Sequence, residues 1–355
     1  VLSILAIVTG AVALVTTLLP LLRSKVWWVR IWDFPRLQLC VLSLGALVAW
    51  ILGAHFLAWP QNLFTFALAA VAVFQGALVW RYTPLAPREV QQSRSTDPLV
   101  RLSLVVANVL QTNRQSDLLL SEIRAADPDV VLFCEVDAWW ESRLDALATS
   151  HPHVVRHPLS NTYGLLLRSR LELRDAVVDF LVKPDNPSIQ AQIVLRNGAR
   201  VWMNCVHPTP PVPGESNESS ERDSALLQIG RRVSDATGPV VVCGDLNDVA
   251  WSRSTRLFQK VSGLLEPRKG RGFVSTFHAR YPGFRVPIDH VFHSNHFRLV
   301  RMRRLKYVGS DHFPVHIVLS YEPQAAAEQE PPNPSPSDSA EANETLARSA
   351  PGAKT

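Results

Sequence analysis

Carboxylate, carboxamide and imidazole groups recur in this chain at the ends of apolar, strand-like runs. The sharpest case is residues 240–249, VVVCGDLNDV, where Asp245 and Asn247 follow an apolar run and Gly244 lets the backbone turn. Residues two apart on an extended segment point to the same side, so these two groups converge on one ligand. Gly, Asp and Asn also make ordinary strand-to-loop turns, and the segment alone fits either reading. The run 130–134 likewise ends in Glu135, and Asn108 lies within the apolar 104–109. A buried amide needs hydrogen-bond partners, so Asn108 is either a structural bracket or part of a polar site. His207 ends a third run before Pro-Thr-Pro-Pro, and Asp289-His290 and Ser310-Asp311-His312 each put a carboxylate beside an imidazole. Hard oxygen donors suit Mg²⁺, and with imidazoles they form a set able to cleave phosphate esters.

Other chemistries lack their motifs. An apolar strand ending in Asp resembles a Walker B element, but no G-x-x-x-x-G-K-[ST] accompanies it. No H-E-x-x-H or G-x-S-x-G is present. His290, His293 and His296 are spaced three apart in a strand-like run, which sends them to opposite faces and argues against zinc. Adjacent residues on a strand also diverge, so the useful carboxylate–imidazole pairing is across strands, Asp289 with His312, fixing the ring tautomer and favouring its charged form.

The elements that must position these groups are mostly short strands, predicted at 102–109, 130–134, 164–168, 189–195, 201–206, 240–243, 288–292 and 315–319. Helices are predicted at 116–126, which Asp127-Pro128 ends, and at 221–236. Many strands with few long helices predict an α/β sandwich of packed sheets. The folded region spans 99–321, after a polar, proline-punctuated linker at 83–98. Residues 322–355 are rich in Pro, Ala, Glu, Ser and Asn, a composition that predicts disorder.

The first eighty residues are different in kind. Three apolar stretches, 2–22, 37–59 and 63–80, lack charge, and about 20 apolar residues cross a bilayer. They predict three transmembrane helices. Arg23, Lys25, Arg30 and Arg36 lie between the first two, the link Pro60-Gln61-Asn62 carries no charge, and Arg81, Arg88, Arg94 and Arg101 follow the third. Basic residues accumulate on the cytoplasmic side, so the expectation is a multi-pass protein of the bacterial inner membrane with its folded domain in the cytoplasm. Cys134, Cys205 and Cys243 sit in apolar runs, as small hydrophobes do.

Asn108, Glu135, Tyr163-Gly164, His207, GDLND at 244–248, Asp289 and SDH at 310–312 occur in the order seen in the endonuclease/exonuclease/phosphatase superfamily, which the chain resembles over 99–321. With three apolar helices ahead of the domain, it looks like the membrane-attached bacterial branch. The resemblance implies a four-layered α/β sandwich, two mixed sheets flanked by helices, with the site at one edge. It implies Mg²⁺ (or Mn²⁺) held by Glu135 with Asn108 and Asp311. Asp245 would activate water, Asn247 hold a phosphate oxygen, and His312, braced by Asp289, stabilise developing charge. His207 would serve as general acid, and Tyr163 would contact substrate.

The implied activity is hydrolysis of a phosphodiester or phosphomonoester by water attack. The ester itself stays open: a lipid headgroup, a small molecule or nucleic acid. The net charge is +5, and Arg253, Arg256, Arg268, Lys269, Arg271 and the run Arg298–Lys306 are candidates to meet its phosphate or an anionic bilayer. A solvated basic face explains the last run as well. Alternatives are a nuclease and, less favoured, an inactive membrane-tethered scaffold. No protein partner can be read from the sequence.

Overall fold

A computed structural model describes residues 2–53 and 59–348. Residues 101–321 form a sandwich of two mixed sheets. The first contains β1 (Arg101–Asn108), β2 (Val130–Cys134), β3 (His153–His157), β4 (Leu165–Ser169), β10 (Phe297–Arg304) and β11 (Val315–Tyr321), in the order β10-β11-β1-β2-β4-β3. The second runs β5-β6-β7-β8-β9 in order (Leu173–Asp179, Ser188–Val194, Arg200–Val206, Val240–Asp245 and Asp289–His293). Only β1–β2 and β7–β8 pair in parallel.

Strand alternation sorts side chains into layers. Leu104 and Val106 of β1, Met203 and Cys205 of β7, Val241 and Cys243 of β8 and Val291 of β9 share the core between the sheets. Val105 and Ala107 face the other way, onto Leu119 and Ile123 of α5 (Ser116–Ala126) and Trp140 of α6 (Ala138–Leu144). Val240, Val242 and Phe292 likewise pack on Leu226 and Ile229 of α7 (Ser220–Ser234) and Phe258 of α8 (Arg253–Ser262). Each fully buried side chain of this size contributes roughly 1.5–3 kcal/mol. Both faces of each sheet are therefore covered, giving the four layers.

Ahead of the sandwich stand α1 (Leu2–Leu18), the single turn α2 (Trp27–Arg30), α3 (Arg36–Leu52) and α4 (Trp59–Trp80). Segments Ser3–Leu22 and Asn62–Trp80 are long and apolar enough to cross a membrane; a third span requires Trp27–Asp33 and Arg36–Leu52, bent by 73°, to act together. Part of the predicted 37–59 helix, residues 54–58, lies outside the described residues. The predicted link at 60–62 is instead helical, with Pro60 in the first turn, where a missing N–H costs nothing. The basic loop after α1 packs on the sandwich: the Trp27 N–H donates to the Asn217 carbonyl (3.0 Å), and the indole N–H of Trp251 donates to the Asp33 carbonyl (2.8 Å).

Two predicted loose segments are ordered. In the 83–98 linker, the Ser93 N–H donates to the Leu299 carbonyl and the Leu299 N–H to the Gln91 carbonyl, so the chain caps the edge strand β10. An exposed edge offers unpaired groups, and this strap satisfies them. Within the predicted disordered tail, of which residues 349–355 lie outside the described residues, Pro336–Arg348 form α9. Its start is a reciprocal capping box: the Asp338 N–H donates to Ser335 Oγ (3.2 Å) and the Ser335 N–H to Asp338 Oδ2 (2.9 Å). Ala342 and Leu346 pack on Leu227, Leu257 and Val261, and Lys260 pairs with Asp338 at 2.9 Å. Low overall apolarity hid an apolar stripe matched to α7 and α8.

Candidate active site

The layer rule that builds the core also builds the site. Continuing the inner-facing series one step along each strand gives Asn108 on β1, His207 after β7, Asp245 on β8 and Asp289 on β9. The two sheets thus deliver polar groups to one edge of the sandwich, where no further core residue follows.

Asn108 bridges the sheets. Its Nδ2 donates to Glu135 Oε1 (2.8 Å) and to Asp245 Oδ2 (3.0 Å), while its Oδ1 accepts the Leu110 N–H (2.9 Å). Glu135, half-buried, also accepts the Gln111 N–H at 3.1 Å. Asp245 is buried; its Oδ1 accepts the Asn247 N–H (2.9 Å), and its Oδ2 lies 3.8 Å from His207 Nε2 and 3.6 Å from His312 Nε2. The far nitrogen of His312, Nδ1, meets Asp289 Oδ2 at 2.9 Å. The cross-strand pairing expected from the sequence is present. Burial opposes the charge on His312, but the Asp289 and Asp245 carboxylates outweigh it and raise the imidazolium to about 10.

The backbone bends to make this possible. Leu110, Glu135 and Asn247 adopt positive φ (55°, 64° and 50°), a costly conformation for residues with a Cβ that clusters at functional sites. Gly244 (φ 147°) is required by contact: a Cβ there would lie 1.8 Å from the Val206 carbonyl oxygen. Asn247 Nδ2 donates to the Pro208 carbonyl (3.0 Å), tying the GDLND loop to the turn after His207. The Tyr163 ring lies 5.7 Å from that of His207, and its hydroxyl donates to Glu215 Oε2 (2.5 Å). Burial and then Glu215 push the Tyr163 phenol up, so it stays a donor.

Support comes from residues behind the site, of which the sequence reading named only Arg268, and that as a phosphate or bilayer contact. Arg222, buried on α7, donates to the Asn247 carbonyl (2.9 Å) and pairs with Asp248 (3.2 Å), holding the loop from behind. Glu266 and Arg268 form a fully buried pair (2.8 Å), and Arg268 reaches the Asp289 carbonyl at 3.3 Å. Removing one member of such a pair costs about 3–5 kcal/mol. Arg222 sits on the buried face of an amphipathic helix, and that is the one signal available for it.

Several basic candidates lie elsewhere. Arg253 does not reach the site: it pairs with Glu341 of α9 and lines a cleft with Arg23 and Lys25. As the first residue of α8 it is carried to the side of the sandwich that meets the apolar N-terminal helices. Arg268, Lys269 and Arg298 are buried and committed to Glu266, Glu89 and Glu322. Asp311 is half-buried beside His312, and its carbonyl accepts the Ala279 N–H at 2.6 Å.

The donor set fits a hard cation. Asp245, Asp289 and His312 offer ligand atoms within 4.8 Å of one another, and Asp289 Oδ1 is buried without a hydrogen-bond partner. Both His312 nitrogens face carboxylates, so the ring acts as a donor. Oxygen donors remain on Glu135, Asp311 and the carboxamide of Asn108, the donor type that Mg²⁺ or Mn²⁺ takes.

The model of the Endonuclease/Exonuclease/phosphatase family matches residues 105–312. No curated protein matches the sequence. Among solved structures, D. rerio TDP2 complexed with single-strand DNA product has a TM-score of 0.53 at 16% identity, covering 62% of this chain and 99% of that one. An endonuclease/exonuclease/phosphatase from Beutenbergia cavernae has a TM-score of 0.51 at 20% identity, covering 62% and 72%. One from Bacteroides vulgatus has 0.51 at 16%, covering 62% and 99%. At these identities the likeness is one of fold.

Proposed function

The chain belongs to the endonuclease/exonuclease/phosphatase family, hydrolases that act on phosphate esters, and from that premise we propose that it is a membrane-anchored, metal-dependent phosphoesterase using direct water attack. The observation that carries this reading is Asp245, whose one oxygen faces Asn108, His207 and His312 together. A buried carboxylate so placed orients a water and accepts its proton. His312, held charged by Asp289, donates to the phosphoryl oxygen on which charge develops. The Asn247 amide holds a second phosphate oxygen, and His207, whose Nε2 lies 3.8 Å from Asp245, can protonate the leaving oxygen. Glu135, Asn108 and Asp311 would hold Mg²⁺ or Mn²⁺, which supplies neutralisation of phosphate charge.

The ester is one presented at a bilayer surface. The loop 273–288 supports this, because it joins the site to α3, which would cross a bilayer only together with the bent segment before it. The Phe277 ring lies 5.0 Å from that of His312, and Gln38, in the first turn of α3, donates Nε2 to the Gly283 carbonyl at 2.9 Å.

The test is a substrate panel offered to the full chain in detergent: nicked and abasic DNA, sphingomyelin, phosphoinositides and an aryl phosphodiester. Turnover should vanish with chelator and return with Mg²⁺ or Mn²⁺, and fall in Asp245→Ala and His312→Ala. Turnover of none of these substrates, or activity indifferent to both substitutions, overturns the proposal. Preference for DNA would assign a nuclease instead.

A further inference from the structure

A second site lies on the opposite approach, where the membrane helices meet the sandwich. A cleft of roughly 890 Å³ is bounded by the end of α1, by α4, α8 and α9, and shares no residue with the catalytic set. Eight Lys or Arg side chains line it against four carboxylates. Its floor is built. Asp33 lies between Arg30 (3.0 Å) and Arg36 (2.5 Å), all three buried, and the Nε atoms of both arginines are buried without partners. One carboxylate thus serves two guanidiniums. Arg23, Lys25 and Arg256, also in the cleft, have no ion-pair partner among the described residues. Arg23 and Arg256 are exposed and Lys25 is half-buried, so the cleft presents unpaired positive charge above its buried floor to an incoming anion.

One wall specifies the kind of anion. Pro20, Leu21, Phe74 and Leu78, from the two long apolar helices, border the same cleft, so a ligand there meets cations on one side and hydrocarbon on the other. A free phosphate has no use for that wall. The remaining side is α9, whose Asp338 and Glu341 pair with Lys260 and Arg253. These carboxylates occupy cations that a phosphate would otherwise take.

We propose that this cleft binds the headgroup of an anionic membrane phospholipid, and that α9 is the lid over it. The inference rests on the membrane anchoring proposed above but not on the chemistry, and basic clefts beside spanning helices are suited to such headgroups.

The experiment is native mass spectrometry of the full chain released from detergent micelles carrying phosphatidylglycerol or phosphatidylcholine. Phosphatidylglycerol should be retained in preference. Arg23→Ala/Arg256→Ala should weaken its retention about twenty- to thirtyfold, since two surface cations at roughly 1 kcal/mol each are removed. Asp338→Ala/Glu341→Ala should strengthen retention by a similar factor, an opposite sign that misfolding cannot imitate. Asp245→Ala should bind as the unsubstituted chain does, which separates this site from the catalytic one. Equal retention of both lipids, competition by inorganic phosphate at the same concentration as the lipid, or no change in either double variant overturns the proposal. Failure to sediment with carbonate-washed membranes would instead remove the anchoring on which it rests.

Discussion

The carboxamide of Asn108 and the carboxylate of Asp245 meet at 3.0 Å across the gap between the two sheets. Each is the last inner-facing residue of its strand, so the contact fixes the spacing of the sheets at the edge where chemistry is proposed. The same amide nitrogen holds Glu135 at 2.8 Å. Asn108→Ala should therefore loosen both carboxylates at once. The expected outcome is a rise of about 10–100-fold in the Mg²⁺ concentration giving half-maximal activity, the range for losing a group that orients a metal ligand. A Mg²⁺ titration of turnover checks it, and an unchanged midpoint would confine Asn108 to a structural role.

Asp289 acts through His312. It holds Nδ1 at 2.9 Å, which directs Nε2 toward Asp245, where the proposed mechanism puts the phosphate. Asp289→Asn keeps the shape but removes the charge that favours the imidazolium. Turnover should fall by about 10²-fold or more with little change in KM, since the lost interaction is made mainly in the transition state. A KM increase with unchanged kcat would assign the pair to ground-state binding.

Much of this site was legible because inner-facing positions obey a period of two. Read along β8, Val241, Cys243 and Asp245 form one series, and the same rule reaches Asn108, His207 and Asp289. The pairing of Asp289 with His312 followed from the same alternation. Arg253 was misplaced because proximity in sequence to GDLND says nothing about the direction in which the next helix starts. Arg222 and Glu266 were hidden, and Arg268 was read as a phosphate or bilayer contact, since a buried ion pair leaves no periodic trace. The strand β10 was read as a basic run; Arg298 within it is buried against Glu322 (3.2 Å). Helix α9 escaped because composition measures apolar mass, not whether a few apolar residues share one face.

A pH dependence of stability follows from His293. Burial drives its imidazole down to about 4, and its Nδ1 faces the Ser294 carbonyl at 2.9 Å. In the unfolded chain an imidazole takes up a proton near 6.5. Between those values the unfolded state binds more protons, so this contribution is complete above about 6.5 and is lost as pH falls toward 4. At its limit it is on the order of 3 kcal/mol. His293→Phe, beside Phe297 (ring distance 5.9 Å), should flatten part of the fall in melting temperature over that window. His316, also driven down to about 4, acts in the same direction. Melting curves from pH 7 to 4 that superpose for the two proteins would remove His293 from the account.

The rim of the site tests which ester is reached. Tyr281 and Phe284 are 59% and 69% exposed on the loop whose Gly283 carbonyl accepts from Gln38. Because Gln38 lies in the first turn of α3, these rings stand at the level where that helix would enter the bilayer. Aromatic rings favour the boundary between headgroups and acyl chains. The same loop carries Phe277 against His312, so seating the rim in the interface also sets the depth of the catalytic edge. Tyr281→Ala/Phe284→Ala should lower kcat/KM on a vesicle-embedded phosphodiester by about tenfold, equivalent to roughly 1.4 kcal/mol of lost interfacial contact. It should leave turnover of a soluble aryl phosphodiester unchanged, because neither ring touches the catalytic groups. An equal loss on both substrates would mean that the loop supports the site itself. No loss on either would detach the rim from the membrane surface, and the proposed lipid-facing ester would lose its structural support.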